Sequence, residues 1–228
     1  MTFYVLTLFP NTIENIARES ILKRAKDSGL ISIKTIDIRN FAKDRHKTVD
    51  DKPYGGGQGM ILKVDVILDA LESIKAKPYK ILLSASGKKY SQQVAKKLSK
   101  KGELAIISGH YEGVDARVEK YVDEIISIGD YVLTGGEIAA MAIIDSVSRL
   151  LPGVIKRGSL EEESFSRLPT NHYPLSTFLE YPQFTRPENF RSHNVPKVLL
   201  SGNHQQIEKW RQKESEKRTR KFRKDLLK

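Results

Sequence analysis

The residues of this chain that could do chemistry are an arginine at the end of an apolar stretch, a run of three glutamates, and three glycine-rich segments. Residues 127–137 read Ser-Ile-Gly-Asp-Tyr-Val-Leu-Thr-Gly-Gly-Glu. Glycine weakens a strand interior. Gly129, Gly135 and Gly136, set around Tyr131, Val132 and Leu133, instead suit a loop whose backbone approaches a ligand closely. Residues 107–113 read Ile-Ser-Gly-His-Tyr-Glu-Gly, directly after an apolar run, and residues 44–60 run from Asp-Arg-His-Lys to Gly-Gly-Gly-Gln-Gly-Met. None of these is a Gly-x-Gly-x-x-Gly fingerprint or a phosphate-binding P-loop. Each segment alone is also compatible with a surface loop carrying turn glycines. Arg149 ends Asp145-Ser146-Val147-Ser148-Arg149, and an arginine on an apolar helix is costly to bury unpaired. An acid such as Asp145, one turn back, is one candidate partner. Glu161-Glu162-Glu163 precede Ser164-Phe165, and such a run by itself is usually a solvated acidic patch. With no cysteine in the chain, disulfides, thiolate metal sites and cysteine nucleophiles are excluded together. The five histidines show no metal-ligand spacing.

The chain of 228 residues is long enough for one medium domain and a smaller one. Its net charge is +11 and its pI about 9.6. Such an excess suits a polyanionic partner, because bound lysines and arginines release condensed counterions from nucleic acid. A generally basic proteome is the other source of such a charge. Residues 211–228 hold nine Lys or Arg against three acids, as an RNA-facing surface or a solvated tail. No apolar stretch approaches the ~18 residues of a membrane helix, and residues 1–6 lack a basic region and a cleavage site. The expectation is a cytoplasmic protein with no membrane association.

The elements that must position these groups alternate. Strands are expected at 3–8, 31–38, 79–83, 103–107 and 124–128. Helices are expected at 11–28 (Asn11 as cap, Gly29 as stop), 65–76 (Asp65 as cap), 91–102 (Ser91 as cap), 114–121 and 137–150. The last is apolar around much of its surface and so well buried. Residues 39–60 read as a long loop. Alternation of this kind predicts an α/β fold, a parallel sheet covered by helices, with the chemistry-bearing loops following strand C-termini. Residues 153–180 keep no period and read as a linker or lid. A basic helix from Asn203 to about 222 follows, with Ile207 and Trp210 on one face.

In this order and at this spacing, the segments 44–60, 107–113 and 127–137 closely resemble the bacterial tRNA (guanine-37, N(1))-methyltransferase family, TrmD, of the SPOUT class of S-adenosylmethionine enzymes. The resemblance runs from Leu8-Phe9-Pro10 to Ser201-Gly202-Asn203-His204 and Trp210, almost the whole chain. It implies a deep trefoil knot near residues 84–140, which no pattern in the sequence predicts. It implies a cofactor-binding methyltransferase domain over 1–155, a flexible linker over 156–177, and a small helical tRNA-binding domain over 178–228. A homodimer with composite sites follows, the base and C-terminal domain of one chain completing the site of the other. Magnesium dependence is also implied, although no metal ligands are readable. A related SPOUT enzyme methylating ribose 2′-hydroxyls, and a non-catalytic RNA-binding module, are the alternatives.

The same resemblance places adenosylmethionine, bent, among the loops 83–87, 108–113 and 128–139. Leu83, Ile128, Tyr131 and Leu133 are its apolar walls, unless they are ordinary core. Ser84, Ala85, Gly109, Tyr111, Gly129, Gly135, Gly136 and Ala139 lie along its path, Asp130 and Val132 offer backbone, and Glu112 faces its cationic end. Proline is common in the family where this chain has Ala85 and Ala139. Arg149 is implied to stabilise the charge that grows on the guanine carbonyl oxygen. Glu163, aligned on the following Ser164-Phe165, takes the place of an aspartate base, with Glu162 the other candidate. A carboxylate there accepts hydrogen bonds from guanine's Watson–Crick edge and then the N(1) proton. Arg45, His46, Lys47 and Lys52 are candidate phosphate contacts on tRNA, and Gly55, Gly56 and Gly57 allow close backbone approach. Gln183 replaces a usual histidine, and residues 170–177 carry an insertion.

Overall fold

Alternate residues of the apolar runs enter opposite core layers. In β1 (Thr2–Thr7), Phe3 and Val5 enter one layer and Leu6 the other. In β6 (Glu103–Ile107), Leu104 and Ile106 oppose Ala105 and Ile107 in the same way. Burial on both faces is what a parallel sheet requires, and it selects near-continuous Val, Ile and Leu. The sheet has five parallel strands in the order β2 (Ser32–Asp37), β1, β6, β5 (Tyr79–Lys89), β7 (Glu124–Ser127). Phe3 stands between Ile33 and Leu104, and Ile81 pairs with Ile106. This is a computed structural model; it describes residues 1–156, 158, 163–165 and 178–227. The readings that fall on Glu161, Glu162 and the insertion at 170–177 lie outside the described residues.

One core layer is closed by α1 (Pro10–Ile16), α2 (Ser20–Asp27), α4 (Gln92–Leu98) and α5 (Glu137–Ser148), through Ile13, Leu22, Leu98, Ile143 and Ile144. The other is closed by α3 (Val64–Glu72) and two 3₁₀ turns, Ile38–Phe41 and Ala116–Tyr121, through Val66, Ile67, Leu71, Ile38 and Val118. Each such side chain stabilises the fold by roughly 1.5–3 kcal/mol on burial.

Several expected boundaries move. The single helix over 11–28 is two helices. Pro10 rather than Asn11 starts the first, where its missing N–H is not needed. The chain then turns at Ser20 (φ 47°), which lets Leu22 and Ala25 reach the core. Gly29 does stop the second helix, at φ 69°. Asp65 sits inside the first turn of α3 and does not cap it; Lys63 holds that position. Ser91 does cap α4, its hydroxyl accepting from the Val94 N–H, but the helix ends at Leu98 rather than 102. In place of the helix expected over 114–121 is the 3₁₀ turn Ala116–Tyr121, capped by Asp115. The loop over 39–60 has structure of its own: β3 (Asp50–Asp51) pairs antiparallel with β4 (Ile61–Leu62), and Val49 is buried. β5 does not end at Leu83. It continues to Lys89 through a bulge at 84–87, where pairing with β7 shifts and Gly87 lies against the backbone of Ile125 and Ile126.

The described residues divide into two compact units, Met1–Ile155 and Lys156–Lys228. The second holds a hairpin of β8 (Asn189–Phe190) and β9 (His193–Asn194), a short α6 (Lys197–Leu200) and a long α7 (His204–Phe222). Asn203 caps α7, its side chain accepting from the Gln206 N–H at 3.1 Å. Ile207 and Trp210 are half-buried among exposed neighbours. Phe184 packs against Trp210, and Arg211 lies over the Tyr181 ring.

Candidate functional site

The carboxyl ends of β5, β6 and β7 open onto a cleft of about 280 Å³. Its wall is the β5 bulge (Leu83, Ser84, Ala85), the loop after β6 (Gly109, Tyr111, Glu112) and the loop after β7 (Ile128, Gly129, Tyr131, Val132, Leu133, Gly135, Gly136), closed by Ala139 of α5. Three segments far apart in the chain thus meet. Asp130 is the exception among the expected residues. It points out of the cleft and pairs with Lys89 at 2.9 Å on the surface.

Two backbone contacts join the loops after β6 and β7. His110 and Gly135 form an antiparallel bridge, and the Gly136 N–H donates to the Gly109 carbonyl at 2.8 Å. The approach is so close that a Cβ on Gly136 would stand 2.8 Å from Ser108 Cα and 2.9 Å from Gly109 N. A Cβ on Gly135 would meet side chains instead, Glu137 Oε2 at 2.5 Å and His110 Nδ1 at 2.6 Å. At this point sequence reasoning missed a polar group. Glu137 is buried, with Thr7 Oγ1 donating to its Oε1 at 2.6 Å. His110 also lines the cleft, its ring between Phe9 and Tyr111, and its buried Nδ1 has no hydrogen-bond partner among the described residues. The position of His110 between Gly109 and Tyr111 was the available signal.

Residues 44–60 are tied to the same cleft. The Glu112 N–H donates to the Met60 carbonyl at 3.1 Å, and the Leu62 N–H to the Gly113 carbonyl at 3.0 Å. Gly59 (φ 82°) lies against Glu112, where a Cβ would come within 2.4 Å of Glu112 Cγ. Arg45, His46 and Lys47 sit exposed on a turn built by Asp44, whose carboxylate accepts from the N–H groups of His46 and Thr48 and from the Thr48 hydroxyl. That hydroxyl, with those N–H groups, holds the Asp44 carboxyl below its ordinary range. Lys52, Gly55, Gly56 and Gly57 are exposed.

Arg149 is not at the cleft. It is the half-buried C-cap of α5, its N–H on the Asp145 carbonyl at 3.1 Å. Gly136 caps the other end of that helix, so the two lie about 20 Å apart at 1.5 Å of rise per residue. Glu163 belongs to the second unit, half-buried in a turn with Ser164 and Phe165. Among the described residues, no group of three or more His, Asp or Glu side chains could hold a metal ion. No described helix is long and apolar enough to cross a membrane.

A parallel α/β sheet with its ligand cleft at the strand C-termini, lined by apolar walls and glycine backbone, defines a small-molecule-binding α/β protein. The comparisons specify which. The profile of the tRNA (guanine-1)-methyltransferase TrmD family matches residues 1–228. A tRNA (guanine-N(1)-)-methyltransferase of Caldicellulosiruptor saccharolyticus is 54% identical over 230 residues, covering 100% of this chain and 90% of its own. Those of Borrelia duttonii and Thermus thermophilus are 53% and 46% identical, each over 228 residues, covering 99% and 100% of this chain and 92% of their own. The chain belongs to the tRNA (guanine-1)-methyltransferase family, TrmD. Membership implies S-adenosylmethionine as the methyl donor.

Proposed function

We propose that this protein transfers a methyl group from S-adenosylmethionine to N(1) of the guanine at tRNA position 37, beside the anticodon. The observation that carries the reading is the cleft itself: loops 83–85, 109–112 and 128–136 converge on it, within a chain whose whole length matches the family. The cleft suits the donor. It has apolar walls in Leu83, Ile128, Tyr131 and Leu133, an orphaned buried acceptor or donor in His110 Nδ1, and an exposed carboxylate in Glu112. When bound, the donor supplies an electrophilic methyl on a sulfonium.

The rest falls to side chains of this chain. Glu163 accepts hydrogen bonds from the N(1)–H and amino group of guanine and takes the N(1) proton. Arg149 faces the guanine carbonyl oxygen, where negative charge grows. Leu83, Ile128, Tyr131 and Leu133 would hold the donor as it gives its methyl group to the deprotonated N(1) and is left as the neutral thioether. We read the protein as a homodimer with composite sites. About 20 Å of helix between Gly136 and Arg149 favours a partner's Arg149, and Val132 (91% exposed) with Ile138 (55%) puts apolar surface beside the cleft. Residues 1–155 then form the cofactor-binding domain, knotted near 84–140 as in the family, 156–177 a linker, and 178–228 the tRNA-binding domain. Arg45, His46, Lys47 and Lys52 meet tRNA phosphates. A cytoplasmic location fits a tRNA substrate. Magnesium dependence is carried over from the family and is read by titrating the ion in the assay below.

The test is methylation of an unmodified tRNA transcript, with the product nucleoside identified. 1-Methylguanosine at position 37 is expected. A 2′-O-methyl product would make this a ribose methyltransferase, and cofactor-independent tRNA binding without transfer would make it a binding module.

A further inference from the structure

The turn that carries Glu163 is fastened within the C-terminal unit by a ladder ending on α7. The Phe165 N–H donates to the Phe178 carbonyl at 3.0 Å, and the Glu180 N–H to Ser164 Oγ at 3.0 Å. Between these two rungs, the peptide groups of Leu179 turn the other way. The Leu179 N–H donates to Thr219 Oγ1 at 2.9 Å, and Ser215 Oγ donates to the Leu179 carbonyl. Thr219 and Ser215 are 0% and 2% exposed. They lie one helical turn apart, and Thr219 gives its own hydrogen to the Ser215 carbonyl at 2.8 Å. A buried Ser or Thr in a helix is normally satisfied by that backward bond alone. Here the remaining lone pair of Thr219 and the hydrogen of Ser215 both go to Leu179. Arg223, one turn further on, sits 5.7 Å from the Phe165 ring centre. On the outer side of the same helix, Lys209, Lys213, Lys217 and Lys221 are exposed.

We propose that Ser215 and Thr219 are positioning residues for Glu163. They clamp the N–H and C=O of Leu179, and the clamped segment 178–180 holds the turn 163–165, so the carboxylate's place is set by the helix that presents cations to tRNA. The proposal rests on the reading of Glu163 as the base. A carboxylate that must meet two N–H groups tolerates little drift, and a misplacement of about 1 Å can cost on the order of 10²-fold in rate.

The experiment compares Thr219→Val, which keeps the shape and loses the hydroxyl, with Ser215→Ala, Thr219→Ser and Glu163→Gln. Single-turnover transfer rates at saturating tRNA and S-adenosylmethionine are measured beside the affinity for each. Thr219→Val and Ser215→Ala are expected to lower the rate roughly ten- to hundred-fold at unchanged affinities, and Thr219→Ser to restore it. Adding Thr219→Val to Glu163→Gln is expected to cost nothing more, since the clamp acts through that carboxylate. A slow Glu163→Gln with wild-type rates in both clamp variants overturns the clamp and leaves the base standing. Clamp variants that lose tRNA affinity in step with rate overturn it too, because the hydroxyls then only hold α7 in shape. A fully active Glu163→Gln overturns the base reading and the clamp with it. If Thr219→Val loses its cooperative melt, Ser215→Ala decides alone.

Discussion

The two units of this protein solve different physical problems. Met1–Ile155 buries two apolar layers against a parallel sheet, and its cleft is made by backbone at strand ends. In Lys156–Lys228 the described residues bury one apolar side chain, Phe178, and two hydroxyls, Ser215 and Thr219. Its long helix is charged along most of its length. Burial gives the first unit a rigid cradle for a small ligand. The second unit has little burial and much charge, which suits a polyanion whose contacts are many and individually weak. On the proposed function, cofactor recognition depends on ångström-scale backbone fit, and RNA recognition on a sum of charges. Mutations in the two units are expected to fail differently.

The largest expected effect tests whether a residue of the polar unit controls chemistry. Glu163→Gln should lower single-turnover transfer by on the order of 10²–10⁴-fold with both affinities kept, while Glu163→Asp stays active and Glu162→Gln stays near wild type. A dead Glu162→Gln beside an active Glu163→Gln would move the base by one residue.

Next comes the cradle. Gly136→Ala drives its Cβ into the backbone of Ser108 and Gly109, which cannot step aside, whereas Gly135→Ala meets side-chain atoms of Glu137 and His110, which are themselves held in place but give more readily than backbone. Overpacking of the first kind costs about 1–3 kcal/mol. Gly136→Ala should therefore lower the melting temperature and S-adenosylmethionine affinity more than Gly135→Ala does, with tRNA binding little changed. Calorimetry with equal cofactor affinity in both variants would break the distinction between backbone and side-chain neighbours.

A smaller effect should come from charge. Cutting the chain at residue 211 would split α7 and remove Ser215 and Thr219, so substitution is the cleaner route. Lys209→Gln, Lys213→Gln and Lys221→Gln together should reduce the slope of log affinity for tRNA against log salt by about 2–3, at roughly 0.7–0.9 per lost phosphate contact. Cofactor affinity should not move. An unchanged slope would show this face of the helix to be solvated only.

The smallest effect is local and pH-dependent. Asp115 accepts from the Arg117 side chain and N–H, which lowers its pKa in the folded protein. A carboxyl depressed by folding stabilises above its unfolded pKa, near 3.9, and loses that contribution as pH falls through the folded value. Asp115→Asn should thus melt slightly lower than wild type at neutral pH, and the difference should close as the solution is acidified below the ordinary carboxylate range. A constant difference across that range would mean that capping, not charge, is what Asp115 contributes.

The α/β class, the parallel strands and the three cleft loops were legible in the residue order. Apolar runs of strand length, alternating with helices, require a covered parallel sheet, and glycine marks the places where backbone must come close. The caps at Ser91 and Asn203 and the stop at Gly29 were legible for a related reason: their chemistry is confined to neighbours in the chain. What the residue order could not decide depends on distant partners. The break at Ser20 follows from where Leu22 and Ala25 must land, and the extension of β5 past Leu83 from pairing with β7. Asp130 reads as a backbone contributor in its motif, and nothing in the motif shows that its side chain pairs with Lys89, 41 residues away. The buried Thr7–Glu137 pair joins residues 130 apart, and the hold of Thr219 on Leu179 spans 40. Local periodicity reports which face of an element is apolar, but a buried hydrogen bond needs a particular atom from another element, and only the packed chain supplies it.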